Sequence, residues 1–150
     1  MPRSLTEQER QDFLAAPHVA VLSVASDSER PPLTIPIWYG YQPGGHVSFF
    51  TGTQGHQARK TRLIQKAGVL SLSVQREEFP YKYVTIEGTV VQTDQPPSAA
   101  QMLAIARRYL PEEAAQGFVQ SELARPESTL VLFTIRPDRW LTADFSEDAG

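Results

Sequence analysis

The chain has 150 residues, of which 41% are hydrophobic and 21% charged, with a net charge of −3 at neutral pH. This length and composition are typical of one globular domain with its own core. The absence of cysteine excludes disulfides, thiolate metal sites and cysteine nucleophiles, and three scattered histidines do not predict a metal site. Nothing indicates affinity for nucleic acid or an anionic membrane, and without an apolar leader the protein is expected in the cytoplasm.

The first elements along the chain are a short helix and a pair of strands. Thr6 and Glu9 form a capping-box pattern, which predicts a helix start. The short, valine-rich segment Val19–Ala25 predicts a strand. A second strand is predicted over Leu33–Tyr41, and Pro36 within it favours a sheet edge, a bulge or a break, because proline lacks the N–H that a central strand donates.

The middle of the chain alternates between strands and one basic helix. Val47–Thr51 is predicted as the returning strand of a hairpin, and Ala58–Lys66 as a short helix lying on the barrel. Val69–Val74 and Tyr83–Val91 alternate between apolar and polar residues, which is typical of half-buried strands. Gly88 predicts a bulge or a tight bend in the second of them.

The last third of the chain contains two helices and a closing strand. Ser98 is predicted to cap a helix over Ala99–Tyr109, a second short helix begins near Pro111, and Thr129–Ile135 is a strand that leads to a polar tail. Six short strands, with helices only at the start, middle and late insertion, predict a small antiparallel barrel. We find no linker, so residues 1–150 are expected to form one domain.

The chemically most informative segment is Thr51–Arg62. Its threonines offer hydroxyls and its glycines let backbone amides approach a ligand. The cations of the segment are Arg59, Lys60 and Arg62. A loop of this kind before a helix start suits a phosphate monoester. The alternative is a solvated basic helix face, and the residues alone do not decide between the two.

The order of these elements resembles the pyridoxamine 5′-phosphate oxidase-like split-barrel family. The resemblance rests on the proline-interrupted strand with Trp38, on Lys60-x-Arg62-Leu63 and on Val84-x-Ile86-Glu87-Gly88. It covers Leu14–Val91, and more loosely the closing strand with Arg136–Trp140. The family includes FMN-binding oxidases and reductases and reductases that use the deazaflavin F420. The resemblance implies a mainly β fold, a six-stranded antiparallel split β-barrel of Greek-key topology with peripheral helices.

The resemblance also implies a cofactor site at the interface of a homodimer. The strand residues that would run beside the flavin or deazaflavin ring are Thr34, Ile35, Pro36 and Ile37. The residues that would hold the phosphate are Thr51, Arg59, Lys60 and, as a further candidate, Arg62. Trp140 would reach the pocket of the partner subunit, with a barrel plug or an interface anchor as the alternative. Of Trp38 and Tyr39, one is expected in the core and the other at the pocket.

The expected function is that of an oxidoreductase which transfers hydride to or from a small organic substrate. FMN is the first choice of cofactor and F420 the second. Because hydride transfer is chemistry of the cofactor, the sequence identifies no catalytic residue. His56 is a minor candidate for contact with phosphate or substrate. True pyridoxamine phosphate oxidase activity is not expected, since the chain ends soon after Trp140. The alternatives are a non-catalytic protein that binds a flavin, a deazaflavin or haem, and a structural dimer with a solvated basic loop.

Overall fold

Seven antiparallel strands in one sheet and four helices make up the computed structural model, which describes residues 2–125 and 129–146. The helices are α1 (Glu7–Ala15), α2 (His56–Ala67), α3 (Ala99–Tyr109) and α4 (Glu112–Leu123). The strands are β1 (Ala20–Val24), β2 (Leu33–Ile37), β3 (Gly40–Tyr41), β4 (Val47–Gly52), β5 (Val69–Arg76), β6 (Lys82–Asp94) and β7 (Leu130–Asp144). No helix within the described ranges is long and apolar enough to cross a membrane.

The strand order is β2-β1-β5-β6-β7-β4-β3. Strands β5, β6 and β7 are neighbours in chain order, and β4 lies beside β7, which is the arrangement of a Greek key. Strands β2 and β3 lie at opposite edges of the sheet, yet only Trp38 and Tyr39 separate them in the chain. The sheet must therefore curl on itself to bring its two edges together. The predicted mainly β, split-barrel-like fold is confirmed.

The strand count differs from the prediction because the second predicted strand is divided. Its first part, β2, pairs only with β1 among the described strands, so Pro36 lies on an edge strand, the first of the three predicted alternatives. The strand is then interrupted at Tyr39. The side chain of Tyr39 is buried, and its hydroxyl donates to the carbonyl oxygens of Leu14 (2.8 Å) and Ala16 (3.2 Å). The buried and hydrogen-bonded side chain of Tyr39 therefore separates β3 from β2.

The closing strand is longer than predicted, because it continues past Ile135 to Asp144. The register of β6 against β7 shifts immediately before Gly88, at the position of the predicted bulge or bend, but the extra residue is Asp138 of β7, and Pro137 lies opposite Gly88. A Cβ atom on Gly88 would lie 2.3 Å from Cγ2 of Ile135 and 2.9 Å from the carbonyl oxygen of Arg136. Only glycine permits this close approach of the two strands.

The helix starts follow the predicted caps. Thr6 and Glu9 form a capping box on α1, and Ser98 and Gln101 form another on α3, which spans Ala99–Tyr109 as predicted. In each box the side chains of the N-cap residue and of the third helical residue satisfy backbone N–H groups that would otherwise lack partners.

The end of α3 holds the end of α1. Arg108 donates to the carbonyl oxygens of Leu14 (3.1 Å), Ala15 (3.3 Å) and Ala16 (3.4 Å). The neighbouring Tyr109 donates to the carbonyl oxygen of His18 at 2.6 Å. Helix α3 therefore supplies the partners that the last carbonyl groups of α1 need.

Helix α2 contributes to the barrel core. Its Leu63 and Ile64 are fully buried in the same cluster as Phe49 and Phe133, whose ring centroids are 5.8 Å apart. This apolar edge of α2 faces inward, as predicted, and leaves its cations on the remaining faces.

Candidate functional site

The candidate site is a cleft of about 360 Å³ between the end of β4, helix α2 and helix α4, called here the α2–α4 cleft. Among the residues that line it are Gly52, Gln54, Lys60, Phe118, Glu122 and Arg125. It thus combines a glycine at the end of a strand, two cationic side chains and one carboxylate.

A pair of threonine hydroxyls fixes α2 to the end of β4. The hydroxyl oxygens of Thr51 and Thr61 are 2.7 Å apart, and the Thr61 hydroxyl donates to the carbonyl oxygen of Gly52. Both threonine side chains are buried. The Thr51 hydroxyl is therefore engaged with α2, and its predicted contact with phosphate stays a prediction.

The predicted phosphate-binding cations point in different directions. Lys60 is half-buried at the α2–α4 cleft, and burial lowers the pKa of its amine because it penalises the charged form. Arg62 pairs with Asp27 in the turn between β1 and β2, and this hydrogen bond lowers the pKa of the Asp27 carboxyl. Two positions along a helix differ by about 160° in direction, so the structure brings Lys60 to the cleft and not Arg62. Arg59 is half-buried and lies one position before Lys60.

The predicted ring-binding residues lie on the edge strand β2. Thr34 and Pro36 point outward and are exposed, Ile35 is half-buried, and Ile37 faces the core. Pro36 has no N–H to donate. The pairing of β2 with β1 therefore loses no hydrogen bond when the backbone N–H and C=O groups of residues 33, 35 and 37 are the ones that face β1. The N–H and C=O groups of Thr34 then face the open edge of the sheet.

Trp140 lies outside the α2–α4 cleft. It is half-buried opposite Ile86, and the guanidinium of Arg10 lies 4.4 Å from its ring centroid. Together they line a second cleft of about 310 Å³ between α1 and the turn before β4. Leu130, which lines the α2–α4 cleft, precedes Trp140 on β7 by about 30 Å of strand. One chain does not bring Trp140 and Lys60 together.

The structure shows which of Trp38 and Tyr39 lies in the core. Tyr39 is the core residue, and burial raises the pKa of its hydroxyl. Trp38 is half-buried and stacks on Tyr109, with ring centroids 4.9 Å apart. The side chain of His56 lies outside the part of the chain that the structure describes.

Sequence reasoning missed the contribution of α4. Phe118 stacks on Phe50 with ring centroids 5.6 Å apart, which places the last turn of α4 over the cleft. Glu122 and Arg125 follow, and Arg125 donates to the Thr129 hydroxyl at 3.0 Å. The spacing of Phe118 and Glu122 predicts that they share a helix face. No local signal indicates which strand that face covers.

The chain as a whole is similar to a known protein family and to several solved structures. A family model described as pyridoxamine 5′-phosphate oxidase matches residues 6–143. A solved structure named F420 reductase shares 21% identity with this chain, covers 87% of it and 94% of its own length, and superposes with a TM-score of 0.67. A conserved hypothetical protein of Mycobacterium tuberculosis, Rv2991, shares 15% identity at a TM-score of 0.72, with 97% of this chain and 89% of that chain covered.

A FAD-binding protein of Mesorhizobium loti shares 19% identity at a TM-score of 0.61, with 96% of each chain covered. At these identities the solved structures establish a shared fold. No functionally curated protein matches the chain significantly.

Proposed function

Since the chain belongs to the pyridoxamine 5′-phosphate oxidase family, we propose that it binds a phosphorylated flavin or deazaflavin, FMN or F420, and transfers hydride to or from a small organic substrate. The observation that carries the proposal is the half-buried Lys60 in a cleft beside the end of β4. The family match and the fold shared with an F420 reductase and a FAD-binding protein support this choice of cofactor.

The groups at the α2–α4 cleft fit a phosphate. Lys60 and Arg125 supply cationic donors. Gly55 is the N-cap of helix α2, and no side chain in the described residues caps the first N–H groups of the helix. Uncapped N–H groups and the positive end of a helix favour an anion. In this arrangement Lys60 binds the phosphate, and the Thr51–Thr61 pair keeps α2 at the distance from β4 that the cleft requires.

The edge strand β2 suits the ring of the cofactor. The backbone of Thr34 would offer it one donor and one acceptor at the open sheet edge. When bound, a flavin or deazaflavin supplies the hydride chemistry, whereas the protein contributes orientation and shelter from water.

We further propose that the protein is a homodimer and that the outer face of the sheet forms its interface. Residues that pair with one another across five neighbouring strands form one row on this face: Pro36, Val21, Ser73, Thr85 and Leu141. These side chains are small or apolar, and Leu141 is 49% exposed. The row begins on β2, so a dimer through this face would place the proposed ring site at the interface between subunits.

Replacing Leu141 by arginine is expected to shift the protein from dimer toward monomer, because a charge buried in an interface must be desolvated without a partner. The matched control is Leu123→Arg, which introduces the same charge at a residue 58% exposed on α4. Sedimentation velocity over a concentration series measures the change. A wild-type protein that stays monomeric, or equal effects of the two substitutions, would contradict the proposed interface.

The experiment that tests the proposed function is titration of cofactor-free protein with FMN and, separately, with F420, followed by tryptophan fluorescence. We expect saturable quenching by at least one cofactor, since Trp38 follows the proposed ring strand directly. Turnover with nicotinamide donors or small organic acceptors then separates an enzyme from a non-catalytic binding protein. Binding of neither cofactor would refute the proposal.

A further inference from the structure

A buried carboxylate lies in the same cleft as Lys60. The side chain of Glu122 is only 12% exposed, and its Oε1 atom is 3.7 Å from Nη2 of Arg125. Its Oε2 atom is buried and has no hydrogen-bond partner among the described residues. A buried carboxylate oxygen without a partner is costly, so a role at the cleft is a better account of it than packing alone.

Helix α4 holds this carboxylate in place. Ala115 and Val119 are buried beneath the helix, and Phe118 stacks on Phe50 of β4. Glu122 lies one helical turn after Phe118 and shares its face. A ligand in the cleft therefore meets a negative charge that is fixed by the fold.

The charges that line the cleft suit an anion with a single charge. Lys60, Arg125 and Glu122 provide two cations and one carboxylate, so the lining carries one net positive charge. A singly charged phosphoryl group would balance these side chains, whereas a dianion would leave one negative charge without an opposing side-chain charge in a half-buried site. A phosphomonoester is mostly dianionic at neutral pH, since its second pKa is about 6, and a phosphodiester is a monoanion.

We propose that Glu122 is a specificity-determining residue that favours a phosphodiester, such as that of F420, over a phosphomonoester such as FMN. The inference rests on the proposed function, in which Lys60 binds the phosphate of the cofactor. It deepens that function because it assigns the charge state that the site accepts.

The test compares two ligands that differ in one charge, FMN and its methyl phosphodiester, at about pH 7.5, where FMN is mostly dianionic. The wild type is expected to bind the methyl ester at least as tightly as FMN. The Glu122→Gln variant removes the charge and keeps the shape. We expect it to strengthen binding of the ester about threefold and of FMN about tenfold, because a dianion is relieved of twice the repulsion. Glu113→Gln, an exposed position on the same helix, should leave both affinities within about twofold.

The outcomes separate this inference from the function on which it rests. If Glu122→Gln changes both affinities by the same factor, Glu122 does not select by charge, and if it changes neither, the phosphate does not bind beside Glu122. Cofactor binding itself, the proposed function, stands in both cases. If the wild type binds neither compound, both proposals are refuted. Circular dichroism spectra and melting curves of the variants establish that each is folded before the affinities are compared.

Discussion

Replacing Gly88 by alanine is expected to lower the free energy of unfolding by about 3 kcal/mol. The added Cβ would lie 2.9 Å from the carbonyl oxygen of Arg136 and 2.3 Å from Cγ2 of Ile135. The first contact is with backbone, which moves only if the β6–β7 ladder moves with it. The bulge at this position lies in the longest strand pair of the sheet, so the strain cannot be relieved locally.

Urea denaturation followed by far-ultraviolet circular dichroism measures this effect. Gly117→Ala is the matched control, because a Cβ there meets nothing within 4 Å and alanine favours the helix in which Gly117 lies. The control should be as stable as the wild type or more stable, by up to about 1 kcal/mol. A Gly88→Ala protein with wild-type stability would show that the two strands do not approach as closely as described.

The second large effect is expected for charge reversal of Lys60 to glutamate. If Lys60 binds the phosphate, the loss of a charged hydrogen bond costs about 1.5–3 kcal/mol, a decrease in affinity of about tenfold to 150-fold. The new carboxylate would add repulsion to this loss. Fluorescence titration with FMN and with F420 measures the affinity of the variant against that of the wild type.

Lys66→Glu is the control for this substitution. It makes the same change of charge in the last turn of α2, at an exposed position outside the cleft lining. Its affinity should remain close to that of the wild type. An equal loss in both variants would mean that net charge alone matters, and an unchanged affinity of Lys60→Glu would remove Lys60 from the site.

The features that the sequence predicts well are local ones. The capping box of α1, the Ser98 cap of α3, an irregularity at Gly88 and an edge, bulge or break at Pro36 each follow from a few adjacent residues whose backbone chemistry allows few alternatives. The division of the second strand was harder to predict. It depends on the Tyr39 hydroxyl reaching the carbonyl groups of α1, a contact between distant parts of the chain.

The candidate site likewise depends on contacts between distant parts of the chain, which local sequence patterns do not predict. The basic segment was visible in the sequence, but the helical geometry that sends Lys60 into the cleft and Arg62 toward Asp27 emerges only with the position of α2 on the barrel. No pattern in the sequence predicts that the carboxylate of Glu122 lies in the cleft. It reaches the cleft because Phe118 stacks on Phe50, and the sequence does not encode that pairing in any local pattern.

Helices α3 and α4 form a single excursion between two strands that are already paired. Asp94 is the last residue of β6 and lies opposite Leu132 of β7, so these two strands are still paired at the point where the chain leaves the sheet and returns to it. Lys60 belongs to the barrel side of the cleft and Glu122 to the excursion. On the two proposals above, phosphate binding by Lys60 and selection of the phosphate charge by Glu122 lie on separate parts of the fold, so a variant can exchange the second property and keep the first.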